Sequence, residues 1–135
     1  MRKFFSTRYN AGAFNTALFI LRLGFGILLV HHGYQKFSNF HQTEGFMIDL
    51  FGLGKATTTS LVIFAELFCG ILVIIGLFTR LACVPIIILF FVIIFKVTNA
   101  DYFGKSEMPE LYLVSFLAIL FAGPGKVSID NLISK

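Results

Sequence analysis

Residues 56–97, ATTTSLVIFAELFCGILVIIGLFTRLACVPIIILFFVIIFKV, hold two apolar runs that meet at Thr79-Arg80. The runs, Ala56 to Phe78 and Leu81 to Val97, approach or exceed the ~20 helical residues that cross a hydrocarbon core of about 30 Å. With two residues between them they must fold back as an antiparallel hairpin. Pro85 lies a few residues into the second run, where a helix tolerates a missing N–H, and Ile86 to Phe95 carries no polar side chain. Strands are a poor alternative, because backbone groups in lipid must be paired and no segment alternates polar with apolar residues as a membrane barrel does.

Outward from this hairpin, two further segments read as spans. Ala13 to Gly33 precedes it, and Glu107 to Ala122 follows with the weakest hydropathy of the four. Ser106 could cap that last helix, Pro109 fits its first turn, and Gly123-Pro124-Gly125 stops it. Composition agrees: of 135 residues, 57% are hydrophobic and 13% charged, against about 25% charged in soluble domains. The expected fold is therefore all-α, a polytopic membrane protein with a four-transmembrane-helix bundle (13–33, 56–78, 81–97, 107–122) filling 1–135 as one domain. Its first partner is the lipid bilayer.

The basic start, Arg2, Lys3 and Arg8, precedes an apolar run that contains Arg22 and lacks a small-residue cleavage site, so it reads as a retained span and not a cleaved signal. Four spans put both termini on one side, with Arg2, Lys3, Arg8, Arg80, Lys126 and Lys135 there and Lys36, Lys55, Lys96 and Lys105 opposite. This bias places both termini in the cytoplasm. The formal charge of +4 is met by anionic headgroups. No basic groove with interleaved aromatics points to nucleic acid.

Two readings fit the connection at residues 34–55. Phe46, Met47, Leu50 and Phe51 are spaced like one face of a short interfacial helix covering a mouth of the bundle. Alternatively, the stretch is an apolar loop packed on its neighbours.

Polar residues inside spans cost free energy to insert, so they carry the functional information. Arg22 shares a helical face with Gly26, Leu29, Gly33 and Lys36; Glu66 shares one with Gly70, Val73, Leu77 and Arg80. Small residues allow close helix approach, so both charges are expected in one interhelical seam at different depths, with room for a water or ligand between them. His31 and His32 point about 100° apart, so only one faces inward; His32, nearer Lys36, is that one. A neutral imidazole near Glu66 suits proton transfer. The bland alternative is a buried network of Arg22, His32, Lys36 and Glu66 that fixes helix register.

Other familiar chemistry is missing. Cys69 and Cys83 form no CxxC pair, and Gly52-Leu53-Gly54-Lys55 is no phosphate loop. A haem bundle needs facing histidines on different helices, whereas His31, His32 and His41 all lie at one end of the first hairpin. No metal or haem site is evident.

Four blocks in order then resemble the DoxX family: Leu21-Arg22-Leu23-Gly24 with His32-Gly33-Tyr34-Gln35-Lys36; Ala65-Glu66-Leu67 with Gly70; Gly76-Leu77-Phe78-Thr79-Arg80; and Gly123-Pro124-Gly125-Lys126-Val127-Ser128-Ile129-Asp130. These are small four-helix membrane proteins related to the small subunit of a thiosulfate:quinone oxidoreductase. Arg22, His32, Gly33 and Lys36 match the first-helix pattern, Glu66, Gly70, Gly76 and Arg80 the second, and Gly123, Pro124, Gly125, Ser128 and Asp130 the terminal turn. In that turn Gly-Pro-Gly has a structural reading as a helix stop, with Asp130 accepting local backbone hydrogen bonds. One departure stands out: where many relatives carry a histidine late in the third helix, this chain has Lys96-Val97-Thr98-Asn99.

The resemblance implies an accessory, quinone-associated subunit of a membrane oxidoreductase complex, in a bacterial cytoplasmic (inner) membrane, either non-catalytic or quinone-interacting. In that role Arg22 and Glu66 would polarise a carbonyl, and His32 or Glu66 would relay protons. No residue is assigned a catalytic role, and a quinone is the one cofactor implied. Two alternatives come from other classes: an assembly partner docking another membrane or redox protein through glycine-bearing faces, and a small transporter or a channel formed by a homo-oligomer.

Overall fold

The computed structural model describes residues 2–99 and 101–134, so Lys135 of the charge count lies outside the described residues. Among those residues every regular element is helical. Helix α1 (Ala11–Ser38) starts where the Asn10 side chain accepts the Ala13 N–H at 3.0 Å, satisfying one of the unpaired donors of a first turn. At 1.5 Å per residue it is about 42 Å long and overshoots a hydrocarbon core, running five residues beyond the expected end at Gly33.

Only Asn39 separates α1 from a short helix, α2 (Phe40–Phe46). A short helix therefore exists in this connection, but earlier than the Phe46–Phe51 spacing indicated, and residues 47–50 follow the other reading, an apolar loop packed on its neighbours. Met47 is extended and Leu50–Gly52 form a single 3-10 turn in which Phe51 has φ 53. Apolar side chains won over periodicity here: Met47, Ile48 and Leu50 turn inward over the bundle, whereas Phe46 and Phe51 stay exposed.

Helix α3 (Lys55–Ile75) contains a π turn over Phe64–Phe68. It ends at Gly76, whose φ of 74 permits a Schellman turn: Leu77 N–H reaches Leu72 O and Gly76 N–H reaches Val73 O. After Leu77 and Phe78, helix α4 (Thr79–Val97) returns antiparallel and finishes in a second π turn, Ile93–Val97. The hairpin joint thus lies at Gly76–Phe78, just before Thr79-Arg80. Helix α5 (Glu107–Ala122) follows, and its first-turn carbonyl at Ser106 accepts the Glu110 N–H. The Ser106 side chain does not cap it; that hydroxyl is buried against the Thr98 hydroxyl, tying the end of α4 to the start of α5. Gly123, at φ 89, ends α5, and a last helix, α6 (Ile129–Ile133), begins at Ser128, whose hydroxyl accepts the Asn131 N–H.

The four long helices pack in a ring, α1 on α3, α3 on α4, α4 on α5 and α5 back on α1. Val73, Cys83, Ile86, Phe116 and Ile119 are fully buried along its axis. The outside is apolar too: Ile20, Ile27, Phe64, Phe68, Ile88, Phe91, Val114 and Phe121 are all exposed. Unbroken apolar surface of this kind cannot face water and is what a lipid-embedded bundle presents. Helices α1, α3 and α4 are long and apolar enough to cross a membrane. Helix α5, at 16 residues and about 24 Å, is shorter than the usual crossing and completes the bundle by lying along α4.

Glycine sets the α1–α3 spacing. A Cβ on Gly33 would lie 2.7 Å from Leu67 N and 3.0 Å from Glu66 C, and one on Gly26 2.6 Å from Ile74 Cγ1. The obstacle at Gly33 is backbone and cannot move aside. Gly33→Ala is therefore expected to lower thermal stability by about 1–3 kcal/mol through overpacking. Gly24→Ala, with nothing within 4 Å of the new methyl, should be neutral or stabilising by up to ~1 kcal/mol from helix propensity. Melting of the two variants side by side in one detergent checks this; equal shifts would refute the close-contact explanation.

Candidate functional site

The four polar candidates divide between two nodes at opposite ends of the bundle. Fourteen residues of α1 separate Arg22 from Lys36, about 21 Å of rise. Leu29 and Val73, both buried, and the Gly26–Ile74 and Gly70–Val30 contacts fill the seam between them. The water or ligand expected between Arg22 and Glu66 has its place taken by this packing.

At the end that carries the termini, Arg22 is 1% exposed and spends its guanidinium on main-chain carbonyls. Nε donates to Val73 O at 3.0 Å and Nη2 to Ile74 O at 3.0 Å, while Nη1 donates to Pro124 O at 2.7 Å and Val127 O at 2.6 Å. One cation thus ties α1 to the carbonyl end of α3, where helix dipole and unpaired carbonyls favour positive charge, and to the Gly123–Gly125 turn. Four of its five N–H groups are thereby committed to main-chain carbonyls, which gives Arg22 a holding role in this geometry.

Asp130 completes that node. Its carboxylate accepts the Phe78 N–H at 2.7 Å and the Thr79 N–H at 2.9 Å, and its own N–H donates to Gly76 O at 2.8 Å. These bonds reach 51 and 52 residues back along the chain, not locally as the terminal turn suggested. Asp130 is in effect the N-cap that α4 lacks, since Phe78 offers no side-chain acceptor. Partial burial pushes its carboxyl up, but the Thr79 and Phe78 donors and the nearby Arg22 outweigh that and hold it below the ordinary carboxylate range.

At the other end Glu66 sits in the π turn of α3, 2% exposed, with Oε1 2.6 Å from Lys36 Nζ. Insertion of one residue into the helix ladder swings such a side chain out of α-helical phase, and π turns recur at working sites. The second carboxylate oxygen, Oε2, is buried with no hydrogen-bond partner, and so is the Tyr112 hydroxyl from α5. A buried acceptor and a buried hydroxyl left unpaired at the same end of the bundle are exceptions to the rule that polar groups inside are satisfied.

His32 does not enter the α1–α3 seam. It is exposed at the rim, its ring edge-on to Tyr112 with centroids 6.2 Å apart, and it makes no hydrogen bond to Glu66 or Lys36. Lys36 and His32 line an open depression of about 330 Å³ with Gln35, Asn39, Thr43 and Phe46, so the Lys36 ammonium joins this mouth to the buried carboxylate. On the far side of α3, an apolar cavity of about 260 Å³ lies between α3 and α4 under Met47 and Leu50.

Tyr112 is the residue that sequence reasoning missed. Its signal was present, a hydroxyl within an apolar span, yet it had no charge to draw notice. Arg80 lies at the terminal end beside the Arg22–Asp130 node without joining its hydrogen bonds, its guanidinium over Gly123, where an added Cβ would lie 3.0 Å from Nη2.

The DoxX family model matches residues 17–99, which hold Arg22, His32, Lys36 and Glu66 but neither Tyr112 nor the Gly123–Asp130 turn. The chain is also similar to an uncharacterized membrane protein of Mycobacterium tuberculosis, 28% identical, with the alignment covering 85% of this chain and 80% of that one. No solved structure matches it.

Proposed function

The chain belongs to the DoxX family, and from that premise we propose that it is an accessory membrane subunit whose Glu66–Lys36–Tyr112 node receives the headgroup of a quinone for a partner oxidoreductase. The observation that carries this reading is the free, buried Oε2 of Glu66 beside an ammonium that opens to the outside. Lys36 would donate to a quinone carbonyl, and Glu66 Oε2 would accept from the reduced ring's hydroxyl, with Tyr112 as second donor. Ligand sites combine a few convergent polar groups with apolar walls, and here the apolar outer faces of the helices would take the hydrocarbon chain. This reading gives Arg22 a supporting role, because four of its five N–H groups already serve carbonyls.

The same reading treats the whole chain as one domain, since Arg22 inside the matched region is bonded to Pro124 and Val127 beyond it. It places the protein in a bacterial cytoplasmic membrane with both termini inside. Support comes from the sequence count of Arg2, Lys3, Arg8, Arg80, Lys126 and Lys135 on the terminal side against Lys36, Lys55, Lys96 and Lys105 on the other, where Lys36 is committed to Glu66.

The test is retention of quinone. Protein purified in mild detergent should co-extract a quinone, and short-chain benzoquinone or naphthoquinone analogues should raise its melting temperature. Both effects should vanish in Glu66→Gln while the variant stays folded. No co-extracted quinone and no shift with either ring class would sink the proposal.

A further inference from the structure

We infer that the terminal end of the bundle carries a second site, one for the phosphate of an anionic phospholipid, held by Arg80 and Lys126. An open cavity of about 500 Å³ lies where the start of α1, the α3–α4 joint, the Gly123–Gly125 turn and α6 converge. It is lined by both cations and by a single acidic side chain, Asp130.

The polar groups of this cavity are mostly committed to one another. Both Asp130 oxygens accept N–H groups, from Phe78 and Thr79. Asn15 Oδ1 accepts the Lys126 N–H at 3.0 Å, and Asn131 Nδ2 donates to Lys126 O at 3.0 Å. What remains is the pair of cationic side chains and the Thr79 hydroxyl, which is buried without a partner. Among the described residues the ion pairs are Lys36–Glu66 and His41–Glu44, so Arg80 and Lys126 have no acidic partner. Positive charge exceeds negative on this wall, and both oxygens of the one carboxylate are already engaged by N–H donors.

Position selects the occupant. Arg80 follows directly on the joint that begins α4, and the absent side chain of Gly123 leaves room for its guanidinium over the turn. A planar guanidinium there can bind two phosphate oxygens at once. Around the two cations stand Phe14, Phe78 and Leu81, all exposed, with Tyr9 at the rim. That is an interfacial arrangement, with charge at headgroup level, an aromatic beside it and apolar walls leading into the bilayer. A soluble phosphate would use the cations but not the walls, whereas a phospholipid uses both.

The test compares lipids on the full-length protein in detergent, by native mass spectrometry and thermal shift. Phosphatidylglycerol should stay bound and raise the melting temperature, and phosphatidylcholine should do neither. Arg80→Gln with Lys126→Gln should weaken phosphatidylglycerol binding about tenfold or more, from the contribution of each cation near a membrane surface. Arg80→Lys, which keeps the charge but not the two-oxygen grip, should bind between the parent and the double variant, and Lys55→Gln with Lys105→Gln at the opposite end should leave binding unchanged. If the double variant fails to fold, Lys126→Gln alone decides the matter by a loss of about fivefold, the share of one cation. Undiminished binding in the neutralised variants, an equal effect of phosphatidylcholine, or a shift of the same size from inorganic phosphate alone would overturn the assignment.

Discussion

Arg22→Met is expected to leave no monodisperse protein on size exclusion in a mild detergent. The side chain is buried to 1% exposure, and its removal takes the donor from the carbonyls of Val73, Ile74, Pro124 and Val127 together. Hydrogen bonds from a charged donor are worth about 1.5–3 kcal/mol each, and an orphaned buried acceptor costs about 1–3 kcal/mol. Even with strong non-additivity the loss is about 4 kcal/mol or more, set against a total stability of about 5–15 kcal/mol for a domain. The carbonyl of Val73 keeps the Gly76 N–H, which softens one of the four losses. Arg22→Lys should be intermediate: a single ammonium cannot span from the α3 terminus to the Gly123–Gly125 turn, so melting should fall by about 10 °C without abolishing the fold. A variant Arg22→Met that melts within about 2 °C of the parent would show that the clip is dispensable.

The contrast between Arg22 and Glu66 also marks what the sequence could and could not tell. Helix positions were legible because apolar length is a one-dimensional property, and the stop at Gly123 was legible because positive φ favours glycine there, whereas Gly76, inside a span read through to Phe78, gave no such warning. That both charges face inward followed from period 3.6 and from the cost of charge in lipid. The partner of Glu66 was legible in part, since Lys36 stood in the expected network, but that of Arg22 was not. Arg22 finds carbonyls, which every residue carries and no sequence pattern advertises, and Asp130 finds N–H groups more than 50 residues away. The Phe46–Phe51 stretch misled for a related reason: helical spacing in a short apolar loop cannot be told from side chains that turn inward over a bundle. The glycines at 26, 33 and 70 were seen as contact faces, and the contacts prove to lie within the chain, between α1 and α3.

The node at the other end should respond asymmetrically. Lys36→Met leaves the Glu66 carboxylate, whose side chain is 3% exposed, without its counter-charge, and breaking a buried pair from that side costs about 3–5 kcal/mol. Because the Lys36 side chain is 31% exposed, water can reach the vacated position, and the lower part of that range is expected. Glu66→Gln removes the opposite partner at much smaller cost, about 1 kcal/mol: the ammonium can turn to the aqueous mouth, and an amide oxygen can still accept from Nζ. The double variant, Lys36→Met with Glu66→Gln, should then be more stable than Lys36→Met alone, since no unpaired charge stays buried. Melting of the four proteins under one condition yields the cycle, with an expected coupling of about 2 kcal/mol. Additive losses would mean that Lys36 and Glu66 act independently. The cycle also separates scaffold from site: if Glu66→Gln is nearly as stable as the parent yet no longer retains a quinone, the free carboxylate oxygen serves a ligand and not the fold.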